Sequence, residues 1–179
     1  LMIMDFKIRQ EVKRDYPVVF DLIEQAFRNE MMSDKKEQFL AERLRKSGGF
    51  IPELSLVAEV NQKVVGYILL TKIIIETNTE SIISLALAPV AVLPAFQKKG
   101  IGGRLIEEAH HIAKESGYES VILLGHENYY PKFGYQPLHH YDLSLPFEAP
   151  KENCMAIELV PDALKNKKGK VIYPKEFFE

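Results

Sequence analysis

The sequence predicts an α/β (α+β) domain in which helices flank a mixed, mostly antiparallel central sheet. Two observations support this fold class. The β-rich runs "LSLVAEV" and "VVGYILLTKIIIE" are separated only by a tight turn at "NQK", which is typical of an antiparallel hairpin. A strand, a helix and a second strand then follow one another between residues 85 and 124, which predicts a parallel or locally splayed βαβ unit inside the same sheet.

A short strand and two helices are predicted before the hairpin. Alternating apolar and polar residues in "DFKIRQ" predict a half-buried strand near residues 5–10. Apolar residues at three- and four-residue spacing predict two helices, the second of which stops at Gly48 and Gly49. The residues in these stripes are Val18, Val19, Leu22, Ile23, Ala26 and Phe27 in the first helix, and Phe39, Leu40 and Leu44 in the second.

The elements after the hairpin begin with "SIISLALAPVAVL", a strand long enough to be central. Its Pro89 has no N–H to donate, so a bulge or splay is predicted there. The clearest helix carries a stripe from Ile101 to Ala113 and is expected to end at a C-cap at Gly117. "SVILL" predicts a buried strand, "ENYYPKFGY" a short turn-rich helix, "NCMAIELV" a late strand and "KNKKGK" a solvated loop.

Length, charge and cysteine content limit the classes of function. A chain of 179 residues fits one domain, residues 1–179, and we give Leu1, which precedes Met2, no functional role. The net charge of −2 provides no global positive field, so neither nucleic acid nor a membrane surface is expected as a partner. No stretch approaches the ~20 apolar residues of a membrane span. The single cysteine, Cys154, cannot form an internal disulfide, which fits a cytoplasmic protein.

Three glycines stand in "AFQKKGIGGRLIEEA", where a strand-like run gives way to a helix. A helix N-terminus offers unpaired N–H groups and the positive end of the helix dipole, so it can bind an anion. Gly100 and Gly102 keep side chains away from such an anion, and Lys98, Lys99 and Arg104 add positive charge. The glycines alone are equally compatible with a tight strand-to-helix turn.

The spacing of these glycines argues against two common phosphate-binding loops. A P-loop requires Lys and Ser or Thr after its last glycine, and the dinucleotide fingerprint requires a glycine where Leu105 stands. The pattern "QKKGIG", residues 97–102, resembles instead the Gln/Arg-x-x-Gly-x-Gly/Ala pyrophosphate loop of the GNAT N-acetyltransferase superfamily. Within that superfamily, "LAPVAVLPAFQKKGIG", "YYPKFGY" and "ALKNKKGKVIYP" are most similar to the YhbS-like group of predicted acetyltransferases.

The resemblance implies the GNAT fold, with a splay between its two central strands, and acetyl-CoA as cosubstrate. In this family the exposed backbone of the splayed strand pairs with pantetheine, and the amides of the glycine loop hold the diphosphate. The residues that the resemblance assigns to coenzyme A are Val90, Ala91, Val92, Gln97, Lys98, Lys99, Gly100, Ile101, Gly102 and Gly103.

The implied reaction is direct attack of a primary amine on the acetyl thioester. It requires an acid for the departing thiolate and a donor for the oxyanion. Tyr130 matches the place of the family tyrosine that points at the sulfur, so we predict it as the general acid. Tyr129 or Phe133 is expected to pack the turn, and a backbone N–H near Val90–Val92 is expected to donate to the oxyanion.

The general base stays open at the level of sequence. Some relatives use a glutamate on the long strand, but residues 84–92 contain no carboxylate, which leaves His126 or Glu127, acting directly or through water. Cys154 is expected to be a buried structural thiol. Neighbouring residues on a helix point about 100° apart, so neither pair of adjacent histidines is expected to chelate, and we predict no metal.

The acceptor is expected to be a small-molecule or peptide amine that the sequence does not identify. Residues 29–36 and 48–52 are expected to line its side of the site. A homodimer is left open. The alternative function is a non-catalytic acyl-CoA-binding or sensing module of the same fold.

Overall fold

Three helices pack against one mixed sheet in residues 5–179, the part of the chain that the computed structural model describes. Leu1 therefore lies outside the described residues. The helices are α1 (Tyr16–Phe27), α2 (Glu37–Leu44) and α3 (Ile101–Glu115). The strands are β1 (Lys7–Gln10), β2 (Ser55–Val60), β3 (Lys63–Thr77), β4 (Ser81–Val92), β5 (Ser120–Leu124), β6 (Gln136–Pro137), β7 (Leu143–Ser144), β8 (Cys154–Glu158) and β9 (Gly169–Ile172).

The strand order confirms the predicted sheet. It runs β1-β2-β3-β4-β5-β8-β6, and β9 adds to β3 while β7 adds to β9. β4 and β5 are parallel, as are β7 and β9, and the other pairs are antiparallel. β3 pairs with two strands along the edge opposite β4, because its first half pairs with β2 and its last four residues, 74–77, pair with β9.

The helices lie where their apolar spacing predicts them, although two residues of the predicted stripes face solvent. Val18 and Phe39 are each 47% exposed, and Phe39 packs only an edge against Phe20. α3 ends as predicted: Gly117 has a φ of 91°, and the Tyr118 N–H donates to the Ala113 carbonyl in a Schellman arrangement. No helix within residues 5–179 combines the length and apolar character that crossing a membrane needs.

Two hydrophobic cores lie on opposite faces of the sheet. The larger contains the buried faces of all three helices, and the smaller lies under the segment that follows β5. β5 is buried on both faces, because Val121 and Leu123 belong to the larger core and Ile122 to the smaller.

Three short strands were not predicted. β6 and β7 have two residues each, too few for an alternating pattern. The predicted solvated loop at residues 165–170 is wrong at its end, because Gly169 and Lys170 begin β9 and pair with Thr77 and Glu76. Gly169 permits that approach, since a Cβ there would lie 2.4 Å from the Glu76 carbonyl oxygen.

A buried ion pair ties α2 to the chain that leads into α1. The Arg45 guanidinium donates to both Glu11 carboxylate oxygens at 3.1 and 2.7 Å, and the two side chains are 6% and 1% exposed. The Ser55 hydroxyl donates to the same carboxylate at 2.7 Å, and the Arg45 Cζ lies 4.2 Å from the centroid of the Tyr16 ring. These contacts fix the two helices that form one wall of the site described below.

We expect Arg45→Ala to lower the free energy of unfolding by about 3–5 kcal/mol, because it leaves the Glu11 carboxylate buried and unpaired. Urea denaturation of the variant measures the loss. Lys46→Ala, at the exposed neighbouring position, is the control and should change stability by less than ~0.5 kcal/mol. A loss below ~1 kcal/mol in Arg45→Ala would contradict this role for the ion pair.

Candidate active site

The site begins where β4 and β5 separate. These parallel strands pair only at Leu85 with Val121 and at Ala86 with Ile122. On the other side of β4 the register shifts, because Leu87 faces Leu70 and Val90 faces Ile68. Ala88 and Pro89 thus oppose Leu69 alone, which is a β-bulge. The structure therefore confirms both the bulge and the splay predicted at Pro89.

The splay exposes the edge of β4 beyond the bulge. The Leu93 N–H donates to the Val65 carbonyl at 2.9 Å, so the backbone of Leu93 points toward β3. Backbone groups of successive strand residues point in opposite directions, so Ala91 shares this direction and Val90 and Val92 point into the cleft. The Gln97 side chain donates to the Val92 carbonyl at 3.0 Å, which agrees with this orientation. The cleft edge thus offers the N–H groups of Val90 and Val92.

The glycine loop places the N-terminus of α3 beside this edge. Gly100 precedes the helix with a φ of 85°, a conformation that favours glycine, and its carbonyl accepts from the Arg104 N–H at 3.1 Å. The N–H groups of Ile101, Gly102 and Gly103 precede this first bond and have no acceptor within the helix. The Ile101 side chain is buried in the core, so only its backbone is available to a ligand.

Gly102 and Gly103 have different surroundings. Gly102 lines the cleft, where an added Cβ would lie 3.3 Å from the Tyr129 hydroxyl oxygen. A Cβ on Gly103 would lie 3.3 Å from the Phe133 ring, so its lack of a side chain also serves packing.

The cleft opens into a cavity of about 630 Å³ between the splayed strands and the segment that joins α1 to α2. This volume is within the usual range for a small-molecule site. Its lining residues are Ala26, Phe27, Glu30, Met32, Ser33, Glu37, Leu40, Leu87, Ala88, Pro89, Val90, Ala91, Val92, Gln97, Gly102, Leu124, Gly125, His126, Tyr129, Tyr130, Pro150 and Asn153.

Tyr130 lies in the wall of this cavity and is only 8% exposed. Its ring makes edge contacts with Tyr129 and Tyr135, at centroid distances of 5.0 and 5.8 Å. Its hydroxyl has no hydrogen-bond partner among the described residues, although it lines an open cavity. Burial, with a smaller contribution from Tyr129, raises the pKa of the Tyr130 phenol well above its ordinary value. The phenol is therefore protonated at neutral pH and can donate a proton.

His110 forms a hydrogen bond with Tyr135, one of the two rings that contact Tyr130. His110 Nε2 lies 2.7 Å from the Tyr135 hydroxyl oxygen, and burial lowers the pKa of His110 to about 4. His110 is therefore neutral at pH 7 and is occupied by this hydrogen bond. Within residues 5–179, no three His, Cys, Asp or Glu side chains are grouped as metal ligands would be.

The two carboxylates of the cavity are Glu30, between α1 and α2, and Glu37, the first residue of α2. His126 Nε2 lies 3.2 Å from Glu30 Oε1, and the Ser33 hydroxyl donates to the Glu37 carboxylate at 2.7 Å. Of the two candidate bases, His126 lines the cavity and Glu127 does not. Sequence analysis did not pair Glu30 with His126, because no local pattern relates residues so far apart in the chain.

Comparison with known proteins agrees with this geometry. The family model described as acetyltransferase (GNAT) domain matches residues 52–137. A crystal structure of a GNAT family acetyltransferase from Brucella melitensis, in complex with acetyl-CoA, has a TM-score of 0.77 and 30% identity and covers 97% of this chain and 98% of its own. The chain belongs to the GNAT family of acetyltransferases.

Two Escherichia coli K12 proteins are also similar to this chain. YhbS, an uncharacterized N-acetyltransferase, is 28% identical over 95% of this chain and 97% of its own length. The crystal structure of E. coli YhbS in complex with CoA has a TM-score of 0.87, with 26% identity over 98% of this chain and 93% of that one. YjhQ, another uncharacterized N-acetyltransferase, is 38% identical over 57% of this chain, and the match spans only 56% of YjhQ.

The GNAT cleft gathers part of the predicted site. Val90, Ala91, Val92, Gln97, Gly102 and Tyr130 line the cavity, whereas Lys98, Lys99, Gly100 and Gly103 lie in the adjoining loop and helix turn. The prediction that residues 48–52 line the acceptor side is wrong. That loop packs on β3 instead, where the Lys72 N–H donates to the Gly49 carbonyl at 2.9 Å.

Cys154 lies outside the GNAT cavity. It is buried at the start of β8, and its thiol donates to the Pro150 carbonyl at 3.4 Å. Burial, with a smaller contribution from Glu152, raises the pKa of the thiol. These surroundings are those of a structural cysteine.

Gly125 determines where the Tyr130 ring can lie, because a Cβ at that position would be 2.2 Å from a carbon of the ring. We expect Gly125→Ala to displace Tyr130 and to cost about 1–3 kcal/mol of unfolding free energy through overpacking. Gly48→Ala, where an added Cβ meets nothing within 4 Å, is the control and should cost less than ~0.5 kcal/mol.

A double-mutant cycle tests the cause of this cost. In a Tyr130→Ala background the penalty of Gly125→Ala should fall to that of the Gly48 control, because the clashing ring is gone. A penalty that persists in full in that background would show that Gly125 serves another purpose.

Proposed function

We propose that this protein is an N-acetyltransferase that transfers an acetyl group from acetyl-CoA to a primary amine by direct attack. The observation that carries this proposal is the cleft between β4 and β5. It joins an open strand edge, the helix N-terminus at Gly102 and a buried tyrosine whose hydroxyl has no hydrogen-bond partner within residues 5–179. CoA or acetyl-CoA is present in the two relatives' crystal structures described above.

The residues of the cleft fit coenzyme A. The first-turn N–H groups of α3 would hold its diphosphate, assisted by the nearby charges of Lys98, Lys99 and Arg104. The open edge at Val90 and Val92 would pair with the amides of pantetheine, and one of these two N–H groups would donate to the thioester carbonyl oxygen. The lack of a side chain at Gly102 leaves room between the helix and the Tyr129 hydroxyl.

Two side chains would move the protons. Acetyl-CoA supplies the thioester carbon, to which the amine nitrogen bonds as the carbon–sulfur bond breaks. Tyr130 would protonate the departing sulfur. His126 would accept the proton that the amine must lose, since Glu30 favours the tautomer with a proton on Nε2 and so leaves Nδ1 free.

The proposal also covers the extent of the domain. The sheet uses strands from β1 to β9 and the cavity uses residues from α1 to the start of β8, so we propose a single GNAT domain over residues 1–179. The alternative, a non-catalytic acyl-CoA sensor, would share the coenzyme site but would show no turnover.

Coenzyme A should raise the melting temperature, because a ligand at ~100 times its Kd stabilises the native state by about 2.7 kcal/mol. ATP and NAD should have no such effect.

Gly102→Val should weaken CoA binding at least ~10-fold, because its γ-carbons would fill the space beside Tyr129. Thermal shift measures the change in melting temperature and titration calorimetry the change in CoA affinity. Equal CoA affinity in a folded Gly102→Val variant would show that the glycines serve only the backbone turn and not CoA binding.

Tyr130→Phe should lower kcat by about 10²- to 10⁴-fold once an acceptor is known, because it removes the proposed acid and little volume. CoA affinity should hardly change. Tyr129→Phe is the matched control: its hydroxyl faces Gly102, so its loss should alter kcat less than ~10-fold.

Steady-state kinetics under conditions where chemistry limits the rate separate the two tyrosines. A kcat near the wild-type value in Tyr130→Phe would show that another group, not Tyr130, is the general acid. An amine panel assayed for CoA release separates the enzyme from the sensor, because a sensor would bind CoA and release none.

A further inference from the structure

The cavity wall carries charge of one sign. Its ionisable side chains, other than the two tyrosines, are Glu30, Glu37 and His126, and none of its described lining residues is Lys or Arg. On the side of α1 and α2 the wall also carries the apolar side chains of Phe27, Met32 and Leu40. This part of the cavity wall, away from the glycine loop, favours an aliphatic cation over an anion.

The two carboxylates are held separately. Glu30 lies beside His126, whereas Glu37, the first residue of α2, accepts the single Ser33 O–H, whose oxygen lies 2.7 and 2.5 Å from the two carboxylate oxygens. Neither carboxylate forms an ion pair with Lys or Arg among the described residues, and the nearby Lys35 ammonium donates to the Glu30 backbone carbonyl instead. Both carboxylates therefore keep lone pairs for a ligand.

The reacting end of the cavity is marked by an independent feature. Tyr130 is more than nine-tenths buried, lines the cavity and has no hydrogen-bond partner for its hydroxyl among the described residues. His126 lines the same cavity, so the amine that reacts belongs near His126 and Glu30. A singly charged amine bound at Glu30 would have no second cationic group to pair with the Glu37 carboxylate.

We propose that the acceptor is a small aliphatic amine with two positive charges, an inference that rests on the proposed acetyl transfer. Glu30 holds the reacting ammonium, which loses one proton to His126 before its nitrogen bonds to the acetyl carbon. The nitrogen loses a second proton as the carbon–sulfur bond breaks, and this proton restores the Tyr130 phenol, whose own proton has passed to the sulfur. Glu37 binds the second cationic group, which keeps its charge throughout. The apolar wall accommodates the methylene chain between them.

The test compares three series of equal chain length: linear α,ω-diamines from 1,3-diaminopropane to 1,8-diaminooctane, the matching n-alkylamines, and the matching ω-amino acids. We expect the best diamine to exceed its alkylamine by at least about tenfold in kcat/KM, as a charge-assisted contact allows, and the amino acid to fall below both. A ratio of diamine to alkylamine near one, or a preference for the amino acids, would overturn the proposal.

The role of Glu37 is tested by the same ratio in Glu37→Gln, which keeps the shape of the side chain and removes its charge. The ratio of diamine to alkylamine should fall by about tenfold. Glu42→Gln is the control, because Glu42 lies on the same helix, is exposed and does not line the cavity, so the ratio should stay at the wild-type value. An unchanged ratio in Glu37→Gln would refute the second cation site.

Binding measurements keep this inference separate from the proposed reaction. Diamines and alkylamines are titrated by calorimetry into the protein saturated with CoA. If no amine is acetylated, tighter binding of the diamine that Glu37→Gln abolishes would refute the transfer and support the ligand class. Equal binding of the two series would overturn the ligand class, whatever the outcome for transfer.

Discussion

The separation of β4 from β5 after Ala86 is the constraint on which the site depends. A sheet satisfies its backbone groups by continuous pairing, and a continuous pair here would leave no edge for a ligand. The bulge at Ala88 and Pro89 turns the end of β4 while its other edge stays paired with β3. The strand is thus held firmly on one side and open on the other, so the N–H groups of Val90 and Val92 are fixed in direction before any ligand binds.

The same separation makes room for the helix N-terminus and the aromatic side chains. α3 starts directly beyond the end of β4, so the open strand edge and the helix dipole lie at one end of the cleft. β5 is held on its far side by β8, and the Gly125 N–H donates to the Asn153 carbonyl at 2.9 Å. That anchored glycine leaves space for the Tyr130 ring. Packing within the fold therefore determines how much of the tyrosine is buried and hence how strongly its proton is held.

The opposite wall of the cavity depends on different forces. Glu37 is the first residue of α2, and the polar segment between α1 and α2 carries Glu30 and Ser33. Its two ends are fixed by helices that pack on the sheet, and α2 is held by the buried Arg45–Glu11 pair. In the proposed reaction, the coenzyme would lie on the side of β4 and α3 and the acceptor on the side of a surface segment. Acceptor preference could then vary while the chemistry of acetyl transfer is kept.

The sequence by itself determined the features that depend on a few neighbouring residues. These are the hairpin, the three helices, the C-cap at Gly117, the bulge or splay at Pro89 and the glycine loop, because each follows from local spacing or from the backbone limits of one residue type. Only the tertiary structure decided which side chains meet. The pairing of Glu30 with His126, the contact of Gly125 with Tyr130, the docking of residues 48–52 on β3 and the addition of β9 all join segments far apart in the chain. Such contacts depend on the packing of the whole sheet and its helices, which no local pattern of residues records.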